Sequence, residues 1–81
     1  MPVDARRLAR IRWRCRRGML ENDLILTRFM DERSHTLTDE RVAMLDRLLD
    51  LPDNELWDVI AGRIEPADDS VRPLVDELRG L

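Results

Sequence analysis

Apolar residues recur at intervals of three and four positions in five short segments, the spacing that places side chains on one face of an α-helix. Glycine, proline or polar stretches separate these segments. In the second segment, from about Leu20 to Asp31, apolar residues cover most of the circumference, as in a helix at the centre of a core. We therefore predict an all-α fold, in which five helices form one compact, bundle-like domain over residues 1–81.

Capping signals suggest where these helices begin and end. Asp4, Thr38 and Asp53 are candidate N-cap residues, because their side chains can accept a hydrogen bond from the first helical turn. Gly18 and Gly62 are positioned to end the first and fourth helices. We expect helices from Asp4 to about Arg17, from about Leu20 to Asp31, from Thr38 to a point before Pro52, from Asp53 to Gly62, and through Val71 to Leu78.

Length and composition bound the class of protein. A chain of 81 residues has room for one modest core, because it buries only about 60–65% of its unfolded surface. Cys15 is the only cysteine, so an intramolecular disulfide cannot form and a reducing compartment is favoured. No apolar run approaches the roughly 18 residues that span a bilayer, and no secretory signal is recognisable. We expect a cytoplasmic protein without a membrane segment, monomeric when alone.

The charges are divided unevenly along the chain. Residues 1–17 hold seven arginines and one acid, whereas residues 18–81 hold seven arginines and sixteen acids. A basic segment on an acidic body can bind nucleic acid, bind an acidic protein, or attract its own body. Every cationic side chain is arginine, which favours planar, bidentate contacts.

Catalytic and metal-binding chemistry lacks the residues that it needs. His35 is the only histidine, and the chain has no lysine or tyrosine. The three glycines are isolated, so no glycine-rich loop can hold phosphates. We predict that the chain is not an enzyme, has no metal site and binds no nucleotide or flavin tightly by itself.

The first predicted helix has one apolar face and one basic face. Leu8, Ile11 and Cys15 share the apolar face. Nucleic acid is one candidate partner for the other face, but the segment "DNELWDVIAG" that would read DNA has three acids and no base. From spacing alone, a protein-binding surface and a plain corner between helices both stay open. The basic face holds Arg6, Arg10, Trp13 and Arg17.

The stretch "RIRWRCRRGMLENDLILTRF" resembles the SdhE-type family of small FAD assembly factors of succinate dehydrogenase. The family motif, Arg-Gly-x-x-Glu, corresponds here to Arg17, Gly18 and Glu21. Arg10 and Trp13 lie upstream of the motif, and Phe29 follows it at the expected interval. The resemblance extends over about residues 10–69, through "LTDERVAMLDRLLDLPDNELWDVIAGRIEPAD".

The resemblance implies a five-helix assembly factor that binds the flavoprotein subunit of succinate dehydrogenase and, in bacteria, that of fumarate reductase. FAD would become attached covalently to the client, while this chain holds no cofactor tightly. Some relatives have been labelled antitoxins, which is the alternative role, beside a small nucleic-acid-binding protein. The residues expected to bind the client are Arg10, Trp13, Arg16, Arg17, Gly18, Glu21 and Asp23.

Overall fold

The computed structural model describes residues 3–81, so Met1 and Pro2 lie outside the described residues. Within residues 3–81 the chain forms five α-helices and two short 3₁₀ turns, without a strand, which confirms the predicted fold class. The 3₁₀ turns are Ser34–Thr36 and Asp69–Val71. The helices are α1 (Ala5–Arg14), α2 (Leu20–Arg33), α3 (Asp39–Leu49), α4 (Asp53–Ile60) and α5 (Arg72–Arg79).

Two of the three predicted N-caps are confirmed. The Asp4 carboxylate accepts a hydrogen bond from the backbone N–H of Arg6 at 2.8 Å, and the Thr38 hydroxyl accepts one from Arg41 at 3.2 Å. The prediction for α4 is wrong, because Pro52 is the N-cap and Asp53 is the first helical residue. The Asp53 carboxylate still lies at the positive end of the helix dipole, where it is stabilising.

The first helix is shorter than predicted. It ends at Arg14 rather than Arg17, since Cys15 N–H donates to the carbonyls of Ile11 and Arg12, and Arg16 N–H donates to Trp13. The bond to Ile11 is the last α-helical one, while those to Arg12 and Trp13 span only three residues, which tightens the last turn and ends the helix. By contrast, α2 continues two residues beyond its predicted end, to Arg33.

The core lies against one face of α2 rather than around it, which corrects the expectation from its apolar circumference, because Leu20 and Leu24 of this helix are more than 60% exposed. Leu26 and Phe29 of this helix are completely buried. The helix packs against α4 and α5, while α1 lies against α3 and contributes Ile11 to the same core. None of the helices within residues 3–81 has the length and apolarity needed to cross a bilayer.

Candidate functional site

The motif Arg17-Gly18-x-x-Glu21 occupies the sharp turn between α1 and α2. Gly18 has a φ of +88°, a left-handed conformation that costs most other residues about 1–2 kcal/mol. A Cβ built on Gly18 would meet no atom within 4 Å, so the backbone here faces open space. The glycine therefore serves the turn by its conformation and leaves the turn accessible.

The side chain of Arg17 points back into the protein rather than outward. Its Nε donates to the Asp53 carboxylate at 2.8 Å, and its two terminal nitrogens donate to the carbonyls of Leu49 and Leu51 at 2.5 and 2.6 Å. Only 18% of the side chain is exposed. Leu49 ends α3 and Asp53 begins α4, so the guanidinium joins the C-terminal end of α3, where the last carbonyls lack helical partners, to the side chain of the first residue of α4.

This geometry corrects the predicted arrangement of the basic face. Because α1 ends at Arg14, Arg17 does not continue the helical row of Arg10 and Trp13. Its guanidinium is directed toward Asp53, so it does not form an exposed pair with Glu21. Helical periodicity does not extend to Arg17, because the backbone leaves helical geometry after Arg14.

Asp23 holds the other side of the turn. Its carboxylate accepts a hydrogen bond from the backbone N–H of Arg17 at 2.6 Å. The side chain of Asn22 is completely buried and donates to the Asp53 carbonyl at 3.0 Å, which connects the first turn of α2 to the first turn of α4. Asp53 thus accepts a hydrogen bond from the Arg17 side chain on its carboxylate and one from the Asn22 side chain on its backbone carbonyl. These two contacts hold the turn against α4.

Asn22 was not among the predicted site residues. Its Oδ1 atom is buried and accepts no hydrogen bond within residues 3–81. Asn22 lies four residues before Leu26 and seven before Phe29, on the core-facing side of α2, and this position was the available signal, because a buried amide needs a specific partner. The partner lies 31 residues away, so the sequence alone could not name it.

The N-terminal arginines fall into two sets, which we call the paired and the unpaired arginines. The paired set forms ion pairs with acids of α2, of α3 and its C-cap, and of α4: Arg7 with Asp39, Arg12 with Asp31, Arg14 with Asp46 and Asp50, and Arg17 with Asp53. The unpaired set makes no ion pair within residues 3–81: Arg6, Arg10 and Arg16. Intramolecular ion pairs therefore neutralise four of the seven N-terminal arginines.

Two of the unpaired arginines, Arg10 and Arg16, lie three residues before and after an exposed aromatic side chain. Trp13 is 71% exposed, and Trp13 and Arg16 together line two shallow depressions at the end of α1. Tryptophan and arginine are the residue types that most often dominate protein interfaces. We call the patch of Arg6, Arg10, Trp13 and Arg16 the α1 surface.

Glu21 and Arg17 line different depressions of the surface. Glu21 is an exposed residue in the first turn of α2, where its charge complements the helix dipole. It makes no ion pair within residues 3–81 and lines the edge of a depression between α2, α4 and α5. The motif's two charged side chains thus serve different surfaces.

Cys15 and His35 take no part in this arrangement. Cys15 is 2% exposed, and burial raises the pKa of its thiol to about 11, against the opposing effect of Arg12, Arg14 and Arg17. The thiol is therefore protonated at neutral pH, unlike a reactive cysteine. Within residues 3–81, no three histidine, cysteine or acidic side chains are grouped as metal ligands would be.

A family model described as "Flavinator of succinate dehydrogenase" matches residues 9–81. The matched residues include the turn between α1 and α2, Arg17 with the residues that it contacts, and the depression that Glu21 lines. The chain belongs to this family. The match confirms the resemblance on which the motif was interpreted.

Relatives of this chain include three bacterial proteins named FAD assembly factor SdhE. The protein of Ralstonia nicotianae is 44% identical over 82 residues, covering 96% of this chain and 86% of the relative. That of Coxiella burnetii is 38% identical over 72 residues, covering 89% and 88%. That of Shewanella oneidensis is 36% identical over 78 residues, covering 96% and 95%.

Proposed function

We propose that this chain is an assembly factor that binds the flavoprotein subunit of succinate dehydrogenase and promotes covalent attachment of FAD to that subunit. Family membership supports the role, and the α1 surface supplies the structural observation that carries it. Trp13 is exposed beside Arg10 and Arg16, which make no ion pair within residues 3–81, and tryptophan and arginine are enriched among the residues that dominate the binding energy of interfaces.

In this proposal the α1 surface makes the first contact with the client. Arg10 and Arg16 have guanidinium groups available for bidentate bonds to client carboxylates. Trp13 lies between them as an apolar anchor. Attraction between these arginines and the client carboxylates would steer the encounter and make the association sensitive to salt.

The turn at Gly18 makes the second contact. Because no atom lies near the missing Cβ, a client backbone can approach the turn closely. Arg17 and Asp23 act as positioning residues, since their hydrogen bonds hold the turn in one conformation. This assignment revises the role predicted for Arg17 from direct docking to support of the docking loop.

The chemistry belongs to the client in this account. FAD is a substrate of the assembly reaction, and the covalent bond forms on a histidine of the flavoprotein. This chain contributes by holding the flavoprotein in the geometry that favours attachment, without a catalytic group of its own. We extend the proposal to the flavoprotein of fumarate reductase, and keep a cytoplasmic monomer as the expected state of the unbound factor.

The proposal is tested by covalent flavin fluorescence of the client after denaturing electrophoresis. The purified flavoprotein subunit is incubated with FAD and with wild-type factor, the Gly18→Arg variant or the Glu21→Ala variant. We expect both variants to remain helical by circular dichroism and to support much less flavinylation. Wild-type levels of covalent flavin with both folded variants would contradict the proposal.

Binding of nucleic acid, the alternative function, is tested with the same purified factor. The acids of α4 and the net charge of −3 oppose binding to a polyanion. We expect no shift of DNA or RNA in a mobility assay at low salt. A salt-sensitive shift at about micromolar protein would favour the nucleic-acid alternative.

A further inference from the structure

A groove between α2, α4 and α5 is lined by apolar side chains and open to solvent. Its volume is about 410 Å³, within the usual range of binding clefts. Ile60 and Leu78 form the buried floor, while Trp57 is half-buried in the wall. Leu24 is 63% exposed at the edge, so a large apolar side chain remains in water there. The α2–α4–α5 groove therefore offers apolar area that the fold itself does not use.

The charged side chains at the edge of the groove differ in whether they are neutralised. Arg28 pairs with Glu32 at 2.7 Å. Arg79 donates to the carbonyls of Val59 and Ile64 and lies 3.6 Å from Glu65. Among these edge residues, Glu21 alone makes no ion pair within residues 3–81. The uncompensated side-chain charge at the edge is therefore negative.

We infer that the α2–α4–α5 groove receives an apolar segment of the flavoprotein client, with a lysine or arginine beside it that pairs with Glu21. Charge complementarity selects this occupant, because an acidic segment would face Glu21 while the two edge arginines are already satisfied. The inference rests on the proposed function and deepens it, since it assigns Glu21 to a third contact with the same client, beside the α1 surface and the Gly18 turn.

The Gly18 turn and the α2–α4–α5 groove are adjacent along α2, which supports a single partner for both. Glu21 and Leu24 lie on the same face of the helix, three residues apart, and Glu21 follows Gly18 by three residues. A client seated on the Gly18 turn therefore has the start of the groove within reach. The motif spacing between Gly18 and Glu21 thus links the turn to the groove.

A second exposed apolar side chain outside the groove allows a matched test. Leu24 lines the groove, whereas Ile64 is 42% exposed and does not line it. We expect Leu24→Gln to weaken the affinity for the flavoprotein subunit about tenfold, as expected when most of a leucine side chain is buried on binding. We expect Ile64→Gln to change the affinity by less than about twofold. Equal effects of the two substitutions would overturn the inference.

The two tryptophans report separately on the two surfaces. Trp13 belongs to the α1 surface and Trp57 to the groove. In protein labelled with 5-fluorotryptophan, each ¹⁹F resonance is assigned with a Trp→Phe variant and followed as unlabelled flavoprotein subunit is added. We expect both resonances to change chemical shift, and the Trp57 shift to be lost with Leu24→Gln.

The outcomes separate this inference from the proposed function. A shift of Trp13 without Trp57 would overturn the groove assignment and leave the client interaction in place. No binding of wild-type protein, by shift or affinity, would instead contradict the proposed function. Self-association that Leu24→Gln abolishes, measured by sedimentation of the factor alone, would assign the groove to a second copy and overturn the inference.

Discussion

The paired and unpaired arginines of the N-terminal segment have the same chemistry but different surroundings. Each paired arginine forms an ion pair with an acid of the body, whereas the unpaired arginines form none within residues 3–81, and two of them, Arg10 and Arg16, lie three residues before and after Trp13. The role of an arginine in this segment is thus decided by what the folded body places across from it. Paired arginines hold α1 and its turn in place, and unpaired arginines remain for a partner.

The contrast is sharpest between two neighbours in sequence. Arg17 makes three side-chain hydrogen bonds to the protein, while Arg16 is exposed and makes no ion pair within residues 3–81. The end of α1 between Trp13 and Arg17 turns these adjacent side chains in different directions. A change at either position removes the same charge but should affect different properties.

The largest expected effect is on stability and concerns Arg17. We expect Arg17→Ala to lower the free energy of unfolding by about 2–4 kcal/mol, because it leaves Asp53 without its ion-pair partner and two carbonyls without their side-chain donors. Arg16→Ala should change it by less than about 0.5 kcal/mol. Urea unfolding followed by circular dichroism measures both. Similar losses in the two variants would remove the distinction between paired and unpaired arginines.

The next effect concerns Cys15, which lies beneath the paired arginines. Its folded pKa of about 11 exceeds the ordinary value of 9.0, so folding favours the neutral thiol. This contribution is complete below pH 9 and is lost as the pH rises through about 11, amounting to about 2–3 kcal/mol. The chain has no lysine or tyrosine, so no other side chain is expected to titrate in this window.

Urea unfolding at pH 8 to 11 checks this prediction. The Cys15→Ala variant should have a lower but pH-independent free energy of unfolding over the same range. A wild-type stability that stays constant to pH 11 would show that the thiol is not shielded by the N-terminal turn.

A smaller effect compares two glycines with the same backbone geometry. Gly18 and Gly62 have φ values of +88° and +82°, and a Cβ at either would meet no atom within 4 Å. Substitution by alanine should cost each about 1–2 kcal/mol from the left-handed conformation. Client affinity should fall only for Gly18→Ala. Loss of affinity in both variants would indicate that stability, rather than the turn, governs binding.

The helices were predictable because their signals are local. Apolar spacing defined the five segments, and Asp4 and Thr38 identified two starts through contacts with residues two or three positions away. The end of α1 was not predictable in the same way, since arginine is a good helix former and no breaker precedes Gly18.

The site was less predictable because its contacts are distant in sequence. Arg17 binds Asp53, which is 36 residues away in the sequence, and Asn22 binds the same residue from 31 residues away. Helical periodicity contains no information about which acid will lie opposite which arginine. The family motif identified the right turn, but only the packing of α3 and α4 showed that Arg17 faces inward and Glu21 faces the groove.

The most direct test of this account is the affinity of Arg16→Ala for the flavoprotein subunit, with Arg7→Ala as control. Arg7 also lies at the N-terminal end but is paired with Asp39. We expect Arg16→Ala to keep wild-type stability and bind about tenfold more weakly, while Arg7→Ala binds normally. Wild-type affinity of Arg16→Ala, or an equal loss in Arg7→Ala, would contradict the assignment of the unpaired arginines to the client.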